Sequence, residues 1–402
     1  MSADPQPAAS TADHTVTPII LAVACGHFLN DLMQSLIPAA YPLLKANLSL
    51  SFAQIGLITF AFQGTASILQ PMIGLYTDRR PLPYAMAAGM AATGAGLVLL
   101  ANAQVFWVVL LAVALIGLGS AIFHPEASRI ARLAAGMRPG FAQSVFQVGG
   151  NAGTAVGPLA AAFIVMERGQ VSIEWFAAVA LTAMVLLWGV GRWYQAAGAA
   201  RALARKARAR SARPPPRATV RLGMTLLILL MISKFVYSVS LSSYYTFYLI
   251  AQYGLTTSQS QIALFLFLAA VAAGTIIGGP VGDRIGRRKV ILWSILGILP
   301  LTVAVPWLPL VPAVILVSLA GLILASAFPA MVVYAQDLMP QHTGMVAGLL
   351  FGLAFGTAAL GAAGLGILAD RIGIIAVYRI SAFLPLLGLV ALFLPEPTTR
   401  HI

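Results

Sequence analysis

Long apolar runs, separated by short clusters of charged or helix-breaking residues, constrain this chain more than any other feature of its sequence. Crossing a bilayer takes roughly 20 mostly apolar residues in one helix, and each run reaches about that length. A helix satisfies its backbone N–H and C=O groups within the segment, whereas these runs are too long for barrel strands. We therefore predict an all-α membrane protein with about twelve transmembrane helices. The runs lie near residues 18–44, 52–76, 81–101, 105–127, 139–166, 172–195, 222–252, 257–281, 289–307, 310–336, 343–368 and 374–394.

The composition argues against a soluble protein. Hydrophobic residues make up 60% of the chain and charged residues only 9%, which is far from the average of soluble domains. The net charge of +13 would suggest nucleic-acid binding in a soluble protein. Here the basic residues lie between apolar runs, so we expect no nucleic-acid partner. The single cysteine, Cys25, lies inside the first run, so we expect neither a disulfide framework nor a cysteine-based metal site.

The basic residues are distributed unevenly between the two sides of the predicted bundle. If residue 1 is cytoplasmic, all but five of the 24 Lys and Arg residues fall on the cytoplasmic side. The positive-inside rule therefore predicts cytoplasmic termini in a bacterial inner membrane. The residues before Thr17 lack a basic start and a cleavage site, so we expect no signal peptide. The five exceptions are Lys45, Arg168, Arg371 and Arg379 outside, and Lys234 within a run.

An internal repeat predicts two pseudo-symmetric bundles of six helices. The pattern G-x-x-x-D-R that begins at Gly74 returns at Gly279, about 204 residues later, across a basic linker that contains three prolines. Repeats of this kind place the substrate site near the middle of the membrane, between the halves. The predicted divisions are a tail 1–16, a first bundle 17–195, a linker 196–221, a second bundle 222–395 and a tail 396–402.

Residues 279–289, with the sequence GPVGDRIGRRK, resemble the signature loop that follows the second helix of each half in the major facilitator superfamily. The resemblance extends over the whole chain and implies the superfamily fold. The first copy departs from the signature after Arg79, where Arg80 and Pro81 replace Gly-Arg. Charges at helix ends can cap a neighbouring helix in one conformation only, although a solvated loop that sets topology is the alternative. The resemblance implies gating by Asp78, Arg79, Asp283, Arg284 and Arg287.

Three further segments resemble the fosmidomycin resistance protein family within that superfamily. They are residues 26–35 in the first run, 123–127 in the fourth and 141–151 in the fifth. The resemblance implies proton-driven efflux of an anionic, phosphonate-type antibiotic. The glycines of residues 149–158 also resemble a motif of proton-coupled drug antiporters, with ordinary close packing of helices as the alternative.

Polar residues inside the apolar runs are the candidate site residues, because a charge within the membrane is costly unless it faces protein or water. His27, Asn30, Asp31 and Gln34 fall on one face of the first helix. We expect substrate contacts from Lys234, Asn30, Gln34, Gln63, Gln147, Asn151, Tyr237 and Tyr245, and proton coupling by Asp31, His27, His124 and Glu126.

Each of these assignments has a structural alternative. The amides can form ordinary hydrogen bonds between helices. Asp31 and Lys234 can form a structural ion pair, and His124 can belong to a proline kink that Arg129 caps. Which alternative holds depends on which side chains lie close to each of these residues in the folded protein.

We expect a proton-coupled antiporter that exports small anionic molecules by alternating access. Asp31 would carry the proton, and Lys234 would attract the anion as a point charge. Uptake of an organic anion by the same fold is the alternative. An enzyme or a sensor is disfavoured, because the sequence has no nucleophile–base set, no HExxH and no phosphate-binding loop. The expected partners are the small-molecule substrate, protons and the lipid bilayer; we expect a monomer, with no cofactor and no metal.

Overall fold

The computed structural model describes residues 14–50, 52–198, 200, 203–204, 216–255 and 257–396, and these residues form helices with no strand among them. Most of the predicted linker therefore lies outside the described residues. Beside a short helix at Tyr41–Asn47, twelve helices confirm the apolar runs. They are α1 (Thr17–Ala39), α2 (Phe52–Arg79), α3 (Ala85–Ala101), α4 (Phe106–Ala134), α5 (Pro139–Ala160, extended by a π turn Ala161–Val165), α6 (Gln170–Ala196), α7 (Arg217–Tyr253), α8 (Thr257–Ile285), α9 (Arg287–Trp307), α10 (Leu310–Leu338), α11 (Thr343–Ile372) and α12 (Ile374–Phe393).

Within the described ranges, nine of these helices are long and apolar enough to cross a membrane. The others are α2, α3 and α5. Helix α3 is apolar but has only 17 residues. Helices α2 and α5 carry the amide and glycine residues that the sequence places between the two halves.

The helices pack as two bundles that meet along two crossings. In the first half α1 packs on α5, and α4 packs on α2 and α3. In the second half α7 packs on α11, and α8 packs on α10. The halves contact each other where α2 crosses α11 and where α5 crosses α8. This arrangement confirms the predicted fold of two six-helix bundles.

One end of the molecule, called here the basic end, carries the links between α2 and α3, between α4 and α5 and between α8 and α9. The last of these links is the single residue Gly286, whose φ of 95° favours glycine. This tight turn holds the end of α8 beside the start of α9. The basic residues at this end are Arg79, Arg80, Arg129, Arg132, Arg138, Arg284, Arg287, Arg288 and Lys289.

Glycines allow α2 and α11 to touch over three successive turns from the basic end. At each of these positions, a Cβ built on the glycine would collide with the backbone of the facing helix. Such close approach requires glycine because no other residue lacks a Cβ. The contacts are Gly74 with Gly344, Gln70 with Gly348, and Ser67 with Gly352.

One turn further from the basic end the two helices separate. A Cβ built on Gly64 of α2 or on Gly356 of α11 meets no heavy atom within 4 Å. The crossing therefore closes at the basic end and opens at the opposite end, called here the open end.

The α2–α11 crossing predicts opposite effects for two glycine substitutions in the same helix. Gly74→Ala should destabilise the closed basic end by about 1–3 kcal/mol, because the new methyl group overpacks against Gly344. Gly64→Ala is the matched control, and it should leave stability unchanged or raise it by up to about 1 kcal/mol through helix propensity. Thermal unfolding of the purified variants measures both effects. Equal melting temperatures for the two variants would contradict the close approach.

Candidate functional site

Asp31 of α1 lies between two histidines near the centre of the bundle. Its Oδ2 is 3.3 Å from Nε2 of His27, one turn earlier in the same helix. Its Oδ1 is 3.6 Å from Nε2 of His124 in α4. Both histidines are buried, whereas 13% of the Asp31 side chain is exposed. The structure therefore unites three of the four residues that the sequence assigns to proton coupling.

Backbone carbonyls fix the tautomers of both histidines. The Nδ1–H of His27 donates to the carbonyl of Phe146 at 2.7 Å, and the Nδ1–H of His124 donates to the carbonyl of Ser120 at 3.0 Å. A carbonyl oxygen only accepts, so the contact of His27 with Phe146 requires the proton on Nδ1. His124 Nδ1 also lies 3.2 Å from the Ser120 hydroxyl, which can donate or accept, and its shorter contact with the carbonyl favours the same tautomer. Each Nε2 of a neutral ring then presents a lone pair toward Asp31. A hydrogen bond in either contact with the carboxylate requires one additional proton.

Two amides complete the surroundings of Asp31. The Nδ2 of Asn30 donates to Asp31 Oδ1 at 2.9 Å, and the Nε2 of Gln34 lies 3.4 Å from the same oxygen. Donors of this kind stabilise the ionised carboxylate. Asn30 and Gln34, predicted as substrate contacts, thus contact Asp31, the residue predicted to couple protons.

The glycines of α5 bring this helix against α1 beside the central cluster. A Cβ on Gly149 would collide with the backbone of Ala24, and a Cβ on Gly153 would collide with the carbonyl of Phe28. Gly149 and Gly153 therefore serve the close packing of helices, which was the structural alternative for the glycine motif. Gly150 has a different role, because a Cβ there would meet the His27 ring and lie 2.8 Å from Asp31 Oδ2. Its missing side chain lets the His27 ring and the Asp31 carboxylate approach the backbone of α5.

Aromatic rings from both halves surround the histidines. His27 stacks on Phe146 of α5 with ring centroids 4.1 Å apart. Phe351 and Phe355 of α11 lie 5.2 and 5.4 Å from the His124 ring. The cluster therefore lies at the contact between the first half and α11 of the second half.

Lys234 lies in an apolar, aromatic environment in the second half. Its Nζ lies 4.2 Å from the ring centre of Phe235 and 5.7 Å from that of Phe328, which corresponds to His124 in the repeat. In the described part of the chain no carboxylate lies within 4 Å of this ammonium group. In this conformation, the ion pair between Asp31 and Lys234, which was the structural alternative, is not formed.

The amide stripe of α5 reaches the second half. Gln147 Nε2 lies 3.4 Å from Asn151 Oδ1, and Asn151 Nδ2 donates to Thr275 Oγ1 of α8 at 3.2 Å. Gln63 of α2 is half-buried, near the level at which α2 and α11 separate. These three predicted substrate contacts therefore lie along the two crossings between the halves.

Tyr237 and Tyr245 lie inside the second bundle instead of facing the first. Both side chains are buried, and Tyr237 lines a small internal cavity with Thr302 and Tyr378. The Tyr245 ring is stacked near Tyr378 at 6.4 Å. Helical spacing placed these tyrosines on the same face of α7 as Lys234. It could not predict which neighbouring helices that part of α7 packs against.

Glu126 belongs to a separate buried cluster. Its carboxylate pairs with Arg129, one turn later in α4, and Arg129 also donates to the hydroxyl of Tyr194 at 3.0 Å. The Arg129 guanidinium lies over the Tyr194 ring, 5.1 Å from its centre. The structure therefore does not bring Glu126 to Asp31, although the sequence grouped the two residues.

Asp78 at the end of α2 caps α11 of the opposite half. Its two carboxylate oxygens accept hydrogen bonds from the backbone N–H groups of Gly344 at 3.0 Å and Met345 at 2.9 Å. These N–H groups belong to the first turn of α11, where no carbonyl of the same helix is available to them. The cap forms even though the sequence departs from the signature at Arg80.

Asp283 at the end of α8 makes the pseudo-symmetric cap on α5. Its oxygens accept hydrogen bonds from Gly140 N at 2.9 Å and Phe141 N at 3.0 Å. Arg287 Nη2 lies 3.6 Å from Asp283 Oδ1. Arg79 and Arg284, the remaining predicted gating residues, are exposed. Both caps connect the two halves only at the basic end.

Asp337 at the end of α10 joins these caps into a network that sequence reasoning missed. It pairs with Arg132 of α4, and its Oδ2 forms an ion pair with Arg287 Nη1 at 2.7 Å. Only 7% of Asp337 is exposed, so it bridges the halves as a buried charge. A signal was available, because Asp337 lies at the repeat offset from Arg132 and is an acid at the end of an apolar run.

Comparisons with known sequences agree with this architecture. The sequence profile of the Major Facilitator Superfamily matches residues 23–350 and 226–402. The chain is 51% identical over 406 residues to the fosmidomycin resistance protein of Escherichia coli strain K12, covering 100% of this chain and 99% of that protein. It is 41% identical over 385 residues to an uncharacterised transporter of the same superfamily from Bacillus subtilis strain 168, YfnC, covering 95% and 94% of the two chains.

Solved structures share the fold at low sequence identity. The superfamily transporter FucP in its outward conformation matches with a TM-score of 0.73 and 15% identity, over 95% of this chain and 99% of FucP. The human organic anion transporter MFSD10 matches with a TM-score of 0.70 and 19% identity, over 94% and 99%. The chain therefore belongs to the major facilitator superfamily of multi-pass membrane transporters, which are not enzymes, and is a relative of the fosmidomycin resistance protein within it.

Proposed function

We propose that this transporter exports small anionic molecules in exchange for protons, by alternating access between its two halves. The observation that carries the proposal is the arrangement of His27, Asp31 and His124. Two imidazole lone pairs face one carboxylate, so the cluster gains hydrogen bonds when it takes up protons and loses them when it releases protons. Such a cluster at the contact between the halves can couple its protonation to their relative position.

The proposed orientation follows from the basic residues. The basic end faces the cytoplasm of a bacterial inner membrane, as do both termini, and the open end faces outward. Two caps and the Asp337 network close the proposed cytoplasmic side in the conformation described here, whereas α2 and α11 are separated at Gly64 and Gly356. Protons would therefore reach Asp31 from outside, and substrate would enter after the basic end opens.

The proposed roles of the other residues follow from their charge and position. Lys234, a buried cation with aromatic neighbours, attracts the anionic group of the substrate once the halves rearrange. Gln63, Gln147 and Asn151 supply hydrogen bonds along the two crossings. Tyr237 and Tyr245 support the wall of the second bundle from within and do not touch the substrate in this conformation. The transporter acts as a monomer, with one pathway through each chain.

The proposed substrate class rests on sequence similarity to a known protein as well as on the charge of Lys234. A relative that is 51% identical over the full length is named for resistance to fosmidomycin. A lone buried cation selects an anionic group, so phosphonate-type antibiotics such as fosmidomycin are the proposed substrates. Uptake of an organic anion is the alternative, and the direction of flux separates the two.

The test is uptake of labelled fosmidomycin into inverted membrane vesicles, whose outer face is the cytoplasmic face. An acidic lumen should drive accumulation by proton exchange. Right-side-out vesicles with an acidic exterior should not accumulate the compound above vesicles that lack the protein. Accumulation only in the right-side-out preparation would replace export with uptake, and no difference from empty vesicles in either would reject the substrate.

Removal of the buried cation should weaken substrate binding selectively. Lys234→Ala should raise the substrate concentration for half-maximal flux by roughly 10–100-fold, because a hydrogen bond to a charged group contributes about 1.5–3 kcal/mol. Lys289→Ala removes an exposed lysine at the basic end and serves as the control. The measurement is concentration-dependent uptake in the same vesicles. An unchanged half-maximal concentration in Lys234→Ala would remove this residue from the site.

A further inference from the structure

Three potential metal ligands converge at the centre of the bundle. The ligand atoms of His27, Asp31 and His124 all lie within 4.8 Å of one another. Asp31 oxygens are 3.3 and 3.6 Å from the two Nε2 atoms. Two ligands bound to the same tetrahedral zinc ion at about 2.0–2.1 Å are separated by roughly 3.3 Å. The observed spacings therefore fit one ion between the three side chains after small side-chain rotations.

The surroundings of the two imidazoles also fit metal ligation. Histidines that bind metals almost always donate their other ring N–H to a carbonyl or carboxylate, which fixes the ring and its tautomer. Here Nδ1–H of His27 donates to the Phe146 carbonyl, and Nδ1–H of His124 donates to the Ser120 carbonyl. Both Nε2 lone pairs are thus oriented in advance. The fully buried His124 Nε2 has no hydrogen-bond partner in the described residues.

The absence of a side chain at Gly150 lets two of the three ligands pack directly against the backbone of α5. A Cβ on Gly150 would come within 2.8 Å of Asp31 Oδ2 and would also collide with the His27 ring. The Asp31 side chain is 13% exposed, whereas the histidines are buried. An ion held by the three ligands would therefore keep a coordination position on the Asp31 side, as in zinc sites that bind water or another ligand.

We propose that His27, Asp31 and His124 form a binding site for a divalent transition-metal ion of the zinc class. Two imidazoles and one carboxylate suit Zn²⁺, Co²⁺ and Cu²⁺, whereas Mg²⁺ and Ca²⁺ prefer oxygen ligands. The sequence grouped these three residues for proton coupling but predicted no metal site, because only the structure shows that their ligand atoms converge. The proposal does not depend on the identity of the transported substrate or on the direction of its flux. A bound ion would occupy the proposed proton site, so external Zn²⁺ should inhibit transport.

The first experiment is calorimetric titration of Zn²⁺ into the purified full-length protein, produced without a polyhistidine tag. Cys25→Ser provides the background, because this exposed thiol is a competing ligand. We expect one saturable site per chain. Asp31→Asn and His124→Gln should each weaken it by at least the roughly 10–100-fold that loss of an outer-shell partner costs. His342→Gln, which changes a histidine outside the cluster, should retain the affinity. Mg²⁺ should not compete.

A second measurement protects the test against variants that fail to fold. Electron paramagnetic resonance of Cu²⁺ bound to the Cys25→Ser protein should show coupling to the nitrogens of two imidazoles. Gly150→Ala should lower the affinity for Zn²⁺, because its methyl group would displace the His27 ring and the Asp31 carboxylate from their positions. Absence of saturable binding, a Cu²⁺ spectrum without two imidazoles, or equal affinity in wild type and His124→Gln would each overturn the site.

Discussion

Replacing Asp31 by asparagine is expected to reduce proton-driven flux to the level of vesicles without the protein, while substrate binding is retained. The amide N–H of asparagine can donate permanently to His27 Nε2, and its oxygen can still accept from Asn30. The substitution therefore keeps the shape and hydrogen bonds of the protonated cluster but removes its titration. Flux driven by a pH difference should disappear, whereas exchange of labelled for unlabelled substrate at equal pH should continue.

The control for this variant is Asp370→Asn, which changes an exposed carboxylate at the far end of α11. It should leave both kinds of flux intact. Loss of exchange together with a large fall in melting temperature would show that Asp31 supports the fold instead of coupling.

The double variant Asp31→Asn with Lys234→Ala should show additive changes in stability, because the two side chains form no ion pair here. Recovery of stability in the double variant would restore the ion-pair alternative.

The second large effect is expected at Asp337. Asp337→Asn deprives the partly buried Arg132 and Arg287 of their shared carboxylate, although Arg287 keeps Asp283 at 3.6 Å, and breaking a fully buried ion pair costs about 3–5 kcal/mol, which is the upper bound here. That cost applies only to the conformation in which the basic end is closed. We therefore expect a lower melting temperature and a shift toward conformations in which the basic end is open.

Cysteine labelling measures this shift directly. Ser144 is buried where α5 crosses α8, and its hydroxyl accepts a hydrogen bond from Gly279 N at 2.9 Å. In a Cys25→Ser background, Ser144→Cys should react slowly with a maleimide, and Asp337→Asn should accelerate the reaction. Asp370→Asn should leave the rate unchanged. Equal labelling rates with and without Asp337 would remove this residue from the closure of the basic end.

The sequence by itself determined the helices and their pairing into two halves. Apolar runs of bilayer length leave the backbone no alternative to helix within the membrane, and this constraint does not depend on tertiary contacts. The repeat of the pattern at Gly74 and Gly279 predicted the two bundles. The face of α1 that carries His27, Asn30, Asp31 and Gln34 followed from the helical period alone.

Only the tertiary structure decided which partner each polar face meets. Helical spacing groups side chains on one face but leaves open how the helix is rotated toward its neighbours. Tyr237 and Tyr245 therefore turned out to lie inside the second bundle, whereas His124 joined Asp31 and Glu126 did not.

The closure of the basic end was likewise decided by distances that no sequence pattern encodes. Asp78 caps α11 because its carboxylate reaches two free N–H groups, and this contact does not need the Gly-Arg that the first signature copy lacks. Asp337 connects the two halves only because Arg132 of α4 and Arg287 of α9 both lie next to its carboxylate. Local sequence sets helix formation through the backbone, whereas electrostatic partnership depends on a few ångströms of separation between residues far apart in the chain.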